Sequence, residues 1–512
     1  MLLKVKILDI FSGKPIVVLN KKNFEELEII GNRIKIVYKN HEIIASVNIS
    51  ESLIEKGEIG VYRDVAQNYS IKNGELVEVV ESGIPESLTA IKNKIAGRRL
   101  DYKEIYSIIK DVVSGNLSDI EITALIVALN SFGMTIDEAA NFARAMVETG
   151  RTLKLDSKII LDKHSVGGLS GDKTSLILVP LIASLGYKIP KTSSRAITSA
   201  AGTADKASVL MNVNLTIEEM EEVVKKTNGC LVWGGTLHLA PADDVFIRYE
   251  YVIGLDPFLL PSIMAKKKAV GATHVVIDIP TGRGVKVKSI GDAEILAKDF
   301  LEISKLLGIK VNICVTQGIQ PIGYTIGPAL EAKEALEFLM RKKDVRDLKN
   351  KTINIANALL NLVKRGNYFR AVENALNSNK AERKMREIIE AQGGNKNIKP
   401  SDIEIAKYYE DFVSEKDGFV LWIDSGSLNQ VARILGCPKD LSAGIVLYKK
   451  IGDKVKIGDK ILRLYSNSEN RIDLALKVVK ENGSIGIGKE YDMLIKILRE
   501  AKMPKKYFIL ER

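Results

Sequence analysis

Apolar and polar positions alternate with a period of two over the first part of the chain. Three runs show this alternation and are separated by turn residues such as Gly13 and Gly74: residues 3–8, 34–38 and 76–80. Side chains of a strand point alternately to its two faces, so this period is typical of strands with one buried face. The pattern predicts a small N-terminal β domain over residues 1–84, barrel-like and a candidate oligomerisation surface.

Helical spacing of the apolar positions replaces this alternation from residue 85 onward. Two pairs of residues have the capping-box spacing that marks the starts of helices: Ser118 with Glu121, and Thr135 with Glu138. Gly115 and Gly133 lie just before these boxes, where the preceding helices should end. The sequence therefore predicts a helical lobe over residues 85–155.

Short apolar runs and helical patterns alternate in the middle of the chain. Five runs are typical of buried strands: residues 159–162, 187–191, 230–233, 274–279 and 310–314. Helical patterns lie between them, for example over residues 175–185 and 217–226. This order predicts an α/β domain over residues 156–410 with a mainly parallel sheet, whose ligands gather at the carboxyl ends of the strands. Residues 411–512 return to short strands and turns, which predicts a C-terminal α+β domain.

Composition and charge narrow the function only slightly. With 46% hydrophobic and 27% charged residues the chain is typical of globular proteins, and its abundant Lys and Glu fit a thermophile. The net charge of +11 comes from lysines spread along the chain rather than from patches interleaved with aromatic residues. We therefore expect a small anionic substrate rather than nucleic acid as the partner.

Cysteine, histidine and hydropathy patterns point away from metal, disulfide and membrane functions. The 3 cysteines and 4 histidines are scattered without the spacing of a zinc site or a disulfide framework. The longest apolar stretch, around residues 176–185, is far short of the roughly 20 residues that span a bilayer. We expect a cytoplasmic protein with no catalytic metal, no cofactor and no membrane partner.

The most informative segment is a glycine-rich turn over residues 161–175. It follows a predicted strand and precedes a predicted helix, the context in which backbone N–H groups bind phosphate. A P-loop would need a glycine where this chain has Asp172, so the match to a nucleotide-binding P-loop fails. A tight turn without a ligand is the alternative interpretation. The residues that suit an oxyanion are three glycines and several donors: Gly167, Gly168, Gly171, Lys163, Ser165, Thr174 and Ser175.

A second polar loop, residues 193–205, follows the next predicted strand. Six of its residues are hydroxyl or cationic donors: Ser193, Ser194, Arg195, Thr198, Ser199 and Thr203. A solvated Ser/Thr turn would explain neither the arginine nor the pairing of two such loops at neighbouring strand ends. We expect inorganic phosphate to bind near five of the donors in the two loops: Lys163, Ser165, Ser175, Ser193 and Thr203.

These motifs, in this order and spacing, resemble the thymidine and pyrimidine-nucleoside phosphorylases. Residues 261–268 are similar to the base-contacting helix of that family, and residues 443–445 and 451–459 to its C-terminal domain. The resemblance covers about residues 85–500. It implies a pentosyl transfer to inorganic phosphate, a helical lobe completed by about residues 240–270, a hammerhead-like C-terminal domain, and a homo-oligomer that is a dimer or larger.

Departures from the nucleoside enzymes suggest a nucleotide substrate. Leu169 and Ser170 lengthen the glycine-rich turn, residues 254–257 lack the family's arginine, and the N-terminal β domain is additional. All three features are similar to the archaeal-type AMP phosphorylases, a branch of this family. That resemblance implies conversion of AMP and phosphate into adenine and ribose 1,5-bisphosphate, with CMP and UMP as further candidate substrates. A thymidine or pyrimidine-nucleoside phosphorylase is the alternative.

The same resemblance implies the residues of the site. Asp256 would donate a proton to the leaving base, and ten residues would contact the nucleotide: Gly168, Ser194, Arg195, Ala196, Ile197, Thr198, Ser199, Thr203, Ser262 and Lys286. We expect burial to raise the pKa of Asp256, as general acid catalysis requires. Asp256 could instead cap the next helix in an Asp-Pro turn, and His164 is the alternative acid–base residue. Lys266, one helical turn after Ser262, is left open, and Lys288 is an alternative to Lys286.

Two more distant functions have less support. An anthranilate phosphoribosyltransferase-like enzyme would share the helical lobe, but it needs an acidic metal-holding motif that the sequence does not show. Residues 452–459 resemble the turn of biotinyl and lipoyl carrier domains, yet no Met-Lys-Met acceptor accompanies them. A phosphorolytic enzyme remains the prediction.

Overall fold

The computed structural model describes residues 1–27, 33–82, 85–196 and 199–489. Its chain divides into two compact units, each built from separate segments. The first unit comprises Met1–Lys154, Leu237–Ala272 and Asp299–Ile309, and the second comprises Leu155–Thr236, Thr273–Lys298 and Lys310–Arg512. None of the described helices is long and apolar enough to cross a membrane.

The first unit begins with a closed six-stranded barrel in the order β1-β5-β2-β4-β3-β6. Its strands are β1 (Leu2–Leu8), β2 (Ile16–Asn20), β3 (Arg33–Tyr38), β4 (His41–Ser50), β5 (Glu58–Tyr62) and β6 (Leu76–Glu81), with short helices α1 (Lys21–Glu26) and α2 (Arg63–Asn68). Alternate residues of β3, such as Ile34 and Ile36, are fully buried, as the period of two predicts. The predicted barrel-like N-terminal structure is confirmed.

Four helices follow the barrel within the same unit: α3 (Glu86–Ile95), α4 (Tyr102–Val113), α5 (Asp119–Phe132) and α6 (Ile136–Glu148). Ser118 and Thr135 form the two predicted capping boxes, and Gly133 ends α5 with a positive φ of 70°. The barrel contacts the start of α5 through ion pairs of Lys14 with Asp119 and of Arg33 with Glu121. The helical lobe is therefore in direct contact with the barrel.

Strands and helices then alternate in the second unit. These elements are β7 (Leu161–Ser165), α7 (Thr174–Ser184), β8 (Ile189–Ser193), α8 (Thr203–Ser208), α9 (Ile217–Thr227) and β9 (Gly229–Trp233). β8 pairs with β9 in parallel, and an isolated parallel bridge joins Ile160 to Lys188. The predicted strands are present, but β7 and β8 extend two to three residues further, so that Ser165 and Ser193 end strands rather than begin loops.

Two helices return to the first unit: α10 (Pro241–Ile253) and α11 (Leu259–Ala269). Three buried aromatic rings hold them against α6. The rings of Phe246 and Phe258 stack with centroids 4.1 Å apart, and Phe142 meets Phe258 edge-on at 5.2 Å. Such aromatic pairs add stabilisation beyond the area that they bury.

The second unit resumes with a parallel sheet in the order β11-β10-β7. The elements are β10 (His274–Thr281), α12 (Ile290–Leu307), β11 (Lys310–Gln317), β12 (Thr325–Ile326), α13 (Pro328–Leu339), α14 (Arg346–Val363), α15 (Phe369–Asn377) and α16 (Lys380–Ala391). Helix α7 is buried along almost its whole length among these helices, which explains its unbroken apolar sequence.

The C-terminal part is α+β, as predicted, and belongs to the second unit. Its elements are β13 (Tyr408–Val413), β14 (Gly418–Ile423), α17 (Ser425–Leu435), β15 (Gly444–Leu447), β16 (Lys454–Val455), β17 (Lys460–Ser466), α18 (Glu469–Glu481) and β18 (Ile485–Gly488). They form sheets in the orders β12-β15-β17-β13 and β16-β14-β18. β12 thus joins the C-terminal sheet to the α/β part.

Candidate active site

The glycine-rich turn connects β7 to α7 and needs its glycines for two reasons. Gly167, Gly168 and Gly171 have φ values of 95°, 88° and 69°, a region that other residues rarely adopt. A Cβ atom on Gly168 would lie 2.7 Å from the backbone nitrogen of Lys286, and one on Gly171 would lie 2.7 Å from two carbonyl oxygens. The turn is therefore packed tightly against neighbouring backbone, and the segment that carries Lys286 lies directly against Gly168.

A buried cluster of charges lies beside this turn. Lys163 Nζ is 3.2 Å from Asp278 Oδ2 and 3.8 Å from Asp172 Oδ2. Lys351 Nζ, from α14, is 2.8 Å from the same Asp278 oxygen and 3.4 Å from the same Asp172 oxygen. Burial alone would raise the pKa of Asp172, but the ammonium groups of Lys351 and Lys163 hold that pKa well below its usual range. Both aspartates are therefore shared between the same two lysines.

Two hydroxyl groups of the turn lack a hydrogen-bond partner. Among the residues that the structure describes, Ser165 Oγ and Thr174 Oγ1 are buried without one. Ser175 is buried in the first turn of α7, where backbone N–H groups lack helical partners. A buried hydroxyl without a partner is costly, so its place in a native fold indicates that a ligand or water completes it.

The second polar loop is held by Asp205, which the sequence analysis did not single out. Its carboxylate accepts hydrogen bonds from the backbone nitrogens of Ala196 at 2.7 Å and Gly202 at 2.9 Å. It also forms an ion pair with Arg195, whose guanidinium lies 4.9 Å from the ring centroid of Trp233. Arg195 is thus fixed at the loop and remains partly exposed.

The other predicted residues of this loop lie at and around its two ends. Ser193 ends β8 with Oγ 3.5 Å from the carbonyl oxygen of Val232, Ser194 is exposed, and Thr203 begins α8. Ser199 is half-buried. Ile197 and Thr198 lie outside the described residues. The structure therefore brings donors from β8 and α8 to one loop of the second unit.

Residues of α17 support both loops. Asn429 donates to the Gly168 carbonyl oxygen at 3.4 Å and accepts from the Ala200 nitrogen at 3.1 Å, while Ser170 Oγ donates to the Ser425 carbonyl at 2.8 Å. Asp424 Oδ2 lies 3.2 Å from Arg283 Nε, in the loop that carries Lys286. These contacts span more than 100 residues of sequence, so local patterns gave no signal for them.

The first unit holds the remaining candidates. Asp256 lies in the turn between α10 and α11 and is exposed, so the predicted burial of this carboxyl group is wrong: the turn places it at the surface. Ser262 is half-buried on α11, and Lys266, four residues on, forms an ion pair with the buried Asp243 at 2.5 Å. Although burial alone would lower the pKa of Lys266, Asp243 and Asp244 hold it above its usual value.

Two further candidates lie in the second unit. His164 is half-buried on β7, beside Lys163, and Lys286 is exposed, as is the alternative Lys288. Among the described parts of the chain, no group of three or more His, Cys, Asp or Glu side chains is placed to hold a metal ion.

Comparison with known proteins covers almost the whole chain. Residues 88–150 match the helical bundle domain of a glycosyl transferase family, residues 157–390 match its a/b domain, and residues 419–486 match the pyrimidine nucleoside phosphorylase C-terminal domain. An AMP phosphorylase of Thermofilum pendens is 44% identical over 513 residues, covering 100% of both chains. The chain belongs to the AMP phosphorylase family. The predicted family resemblance is confirmed.

Other AMP phosphorylases match similarly. The protein of Thermococcus kodakarensis is 44% identical over 94% of this chain and 97% of its own, and that of Methanocaldococcus jannaschii is 44% identical over 93% and 96%. Among solved structures, anthranilate phosphoribosyltransferase from Thermus thermophilus has a TM-score of 0.49 and 20% identity, over 59% of this chain and 99% of that chain. Membership of the AMP phosphorylase family makes the protein a pentosyl-transferring enzyme of the phosphorylase type, as predicted.

Proposed function

We propose that this enzyme cleaves AMP with inorganic phosphate to adenine and ribose 1,5-bisphosphate. Full-length similarity to AMP phosphorylases supports the substrate. The unpartnered Ser165 hydroxyl beside a buried lysine at a glycine-rich strand-to-helix turn carries the proposal, because it is a prepared oxyanion site. CMP and UMP are additional candidate substrates, as the resemblance to the AMP phosphorylases implies.

Inorganic phosphate binds at the glycine-rich turn and the end of β8. Lys163 supplies positive charge, and Ser165, Ser175, Ser193 and Thr203 supply hydroxyl donors. A phosphate oxygen forms the new bond to C1′ as the bond from C1′ to the base breaks. The ribose becomes oxocarbenium-like between these events, so the anionic nucleophile also stabilises it electrostatically.

The second loop holds the nucleotide. The residues that we assign to nucleotide binding, from this loop and from elsewhere in the chain, are Gly168, Ser194, Arg195, Ala196, Ile197, Thr198, Ser199, Thr203, Ser262 and Lys286. Arg195, with Thr198 and Ser199, is the candidate for the 5′-phosphate, because a guanidinium pairs well with phosphate oxygens and this one remains partly exposed. A nucleoside lacks this phosphate, so the loop provides the discrimination between AMP and adenosine.

When AMP is cleaved, the leaving adenine takes the electron pair of the broken bond and a proton at N7. Asp256 donates this proton, while Ser262 contacts the base from α11. The carboxyl group of Asp256 is exposed and therefore accessible to a bound base.

We also propose a homo-oligomer, a dimer or larger, with the barrel as one of its interfaces. Multi-angle light scattering on the full chain and on a chain beginning at residue 85 tests both parts of this proposal. A particle mass of at least two chains that falls on truncation is expected. A monomeric full chain contradicts the assembly, and an unchanged number of chains per particle contradicts the role of the barrel.

A substrate comparison tests the proposed reaction. AMP, CMP, UMP, adenosine, uridine and thymidine are each incubated with the enzyme and phosphate, and release of free base is followed by chromatography. We expect AMP to be cleaved much faster than adenosine or thymidine, and no cleavage without phosphate. Rapid thymidine cleavage with intact AMP would establish the nucleoside phosphorylase alternative instead.

A further inference from the structure

Lys163, Lys351, Asp172 and Asp278 form a buried cluster of two lysines and two aspartates, and Lys206 Nζ lies beside it, 2.7 Å from the Asp172 carbonyl oxygen. Lys351 makes the shorter contact to each aspartate: 2.8 Å against 3.2 Å at Asp278, and 3.4 Å against 3.8 Å at Asp172. Asp278 is also fixed by Thr316, whose hydroxyl donates to its other oxygen at 2.6 Å. The aspartates are therefore bound more closely by Lys351 than by Lys163.

The cluster faces the oxyanion site. In the parallel pairing of β7 and β10, Ser165 lies opposite Asp278, and the Val166 nitrogen donates to the Asp278 carbonyl at 2.9 Å. Lys163 is two residues before Ser165, so both side chains point to the same face of the sheet. The buried, unpartnered Ser165 hydroxyl and the Lys163 ammonium consequently share one side of β7 with both carboxylates.

Charge decides whether a phosphate can bind there. The Lys163 ammonium group has three N–H donors. The carboxylates of Asp278, at 3.2 Å, and Asp172, at 3.8 Å, would occupy these donors if no other cation neutralised the two aspartates. Two uncompensated carboxylates would also repel a phosphate dianion in a buried site, where charges are weakly screened. Lys351, on α14, cancels this repulsion through its contacts with both carboxylates.

We propose that Lys351 is a positioning residue for phosphate: it neutralises Asp172 and Asp278 and thereby leaves Lys163 able to donate to the bound anion. The inference rests on the proposed function in one respect, that phosphate binds at this turn. Lys351 itself does not touch the substrate. It acts through the two aspartates, and its removal should therefore change phosphate affinity more than nucleotide affinity.

Calorimetric titration of the full chain with inorganic phosphate tests this role. Lys351→Met should weaken phosphate binding about tenfold or more. The double variant Lys351→Met with Asp278→Asn restores neutrality and should recover most of that affinity, because Asn can still accept from Thr316. A merely structural role for Lys351 predicts no such recovery.

The matched control is Lys94→Met, which breaks another buried lysine–carboxylate pair. Lys94 Nζ lies 2.8 Å from Glu138 Oε1 in the helical lobe. This variant should leave phosphate affinity unchanged.

Two outcomes overturn the inference: unchanged phosphate affinity in Lys351→Met, or a double variant that binds no better than the single one. If Lys351→Met does not fold, Asp278→Asn alone decides. It leaves the cluster with a net positive charge and should bind phosphate more tightly, so equal or weaker binding contradicts the proposal. If the wild-type enzyme binds phosphate but does not cleave AMP, only the proposed function is refuted. If the wild-type enzyme cleaves AMP and Lys351→Met binds phosphate as tightly as wild type, only this inference is refuted.

Discussion

Arg195 Nη1 lies 3.2 Å from Asp205 Oδ1, within a single loop whose backbone the same carboxylate also binds. The second oxygen, Oδ2, accepts from the Ala196 and Gly202 nitrogens at 2.7 and 2.9 Å. A buried aspartate thus fixes both the path of the loop and the position of its cation. Asp205 therefore preorganises the loop that we propose as the nucleotide site.

Replacement of Asp205 should impair nucleotide binding. Asp205→Ala leaves two backbone N–H groups without their acceptor and frees Arg195, so we expect the KM for AMP to rise about tenfold or more. Steady-state kinetics with AMP varied at saturating phosphate measure this change. Asp101→Ala is the control, because Asp101 caps α4 by accepting from the Glu104 nitrogen at 2.8 Å. It should cost about 1 kcal/mol of stability without changing KM, and an equal rise in both variants would contradict this role of Asp205.

Gly168 should tolerate no side chain. Gly168→Ala combines an unfavourable φ of 88° with a Cβ 2.7 Å from the Lys286 nitrogen, so the Lys286 segment has to move. We expect a loss of kcat/KM for AMP of at least about a hundredfold. The control Gly133→Ala separates the unfavourable φ from the steric clash, because Gly133 has a φ of 70° but no atom lies within 4 Å of an added Cβ. That control should lose about 1–3 kcal/mol of stability and retain activity; full activity in Gly168→Ala would refute the tight packing.

Asn429 should matter for catalysis although it lies in the C-terminal part. Asn429→Leu keeps the volume but removes both hydrogen bonds, to the Gly168 carbonyl and from the Ala200 nitrogen. We expect about 1–3 kcal/mol of lost stability from the unpaired groups and a higher KM for both AMP and phosphate. The exposed neighbour Gln430 provides the control Gln430→Leu. Thermal unfolding and initial rates compare the two variants, and identical KM values in both would show that α17 does not support the loops.

Asp244 should make stability depend on pH. Burial raises the pKa of its carboxyl to about 6; Lys266 opposes this rise and Asp243 adds to it. The folded state thus keeps a proton that the unfolded chain has lost, and stability falls as the pH rises from about 4 to about 6. Asp244→Asn should therefore stabilise the protein by about 2 kcal/mol at pH 7.5 and much less at pH 4.

Denaturant titrations of wild type and variant at the two pH values measure this difference. The exposed Asp137, in the first turn of α6, supplies the control Asp137→Asn, whose effect on the free energy of unfolding should differ between the two pH values by less than about 1 kcal/mol. A gain for Asp244→Asn that is the same at pH 4 and pH 7.5 would contradict the raised pKa.

Much of the fold follows from local sequence patterns. The alternation at Ile34 and Ile36 and the capping boxes at Ser118 and Thr135 are each encoded within a few residues, and the structure has the predicted elements there. Strand ends were less well predicted. β7 continues to Ser165 because its pairing with Asp278 of β10 extends the ladder, and that partner is more than 100 residues away.

The candidate site likewise has a part that local sequence predicts and a part that it does not. Glycines with positive φ and their adjacent donors are visible in the sequence because one short turn contains them all. Asp205, Asp278, Lys351 and Asn429 were missed, since each acts across the fold and belongs to a residue type that is common on surfaces. The exposed position of Asp256 could not be predicted either, because an Asp-Pro turn is compatible with burial or exposure.

Oxygen-isotope transfer tests the central claim most directly. The enzyme is incubated with AMP and 18O-labelled inorganic phosphate, and the sugar product is identified by mass spectrometry and 31P nuclear magnetic resonance. We predict ribose 1,5-bisphosphate that carries the label in the phosphate at C1, including the oxygen bonded to C1, together with free adenine. Unlabelled ribose 5-phosphate would show hydrolysis by water, and intact AMP would show that the nucleotide is not the substrate; either result contradicts phosphorolysis of AMP.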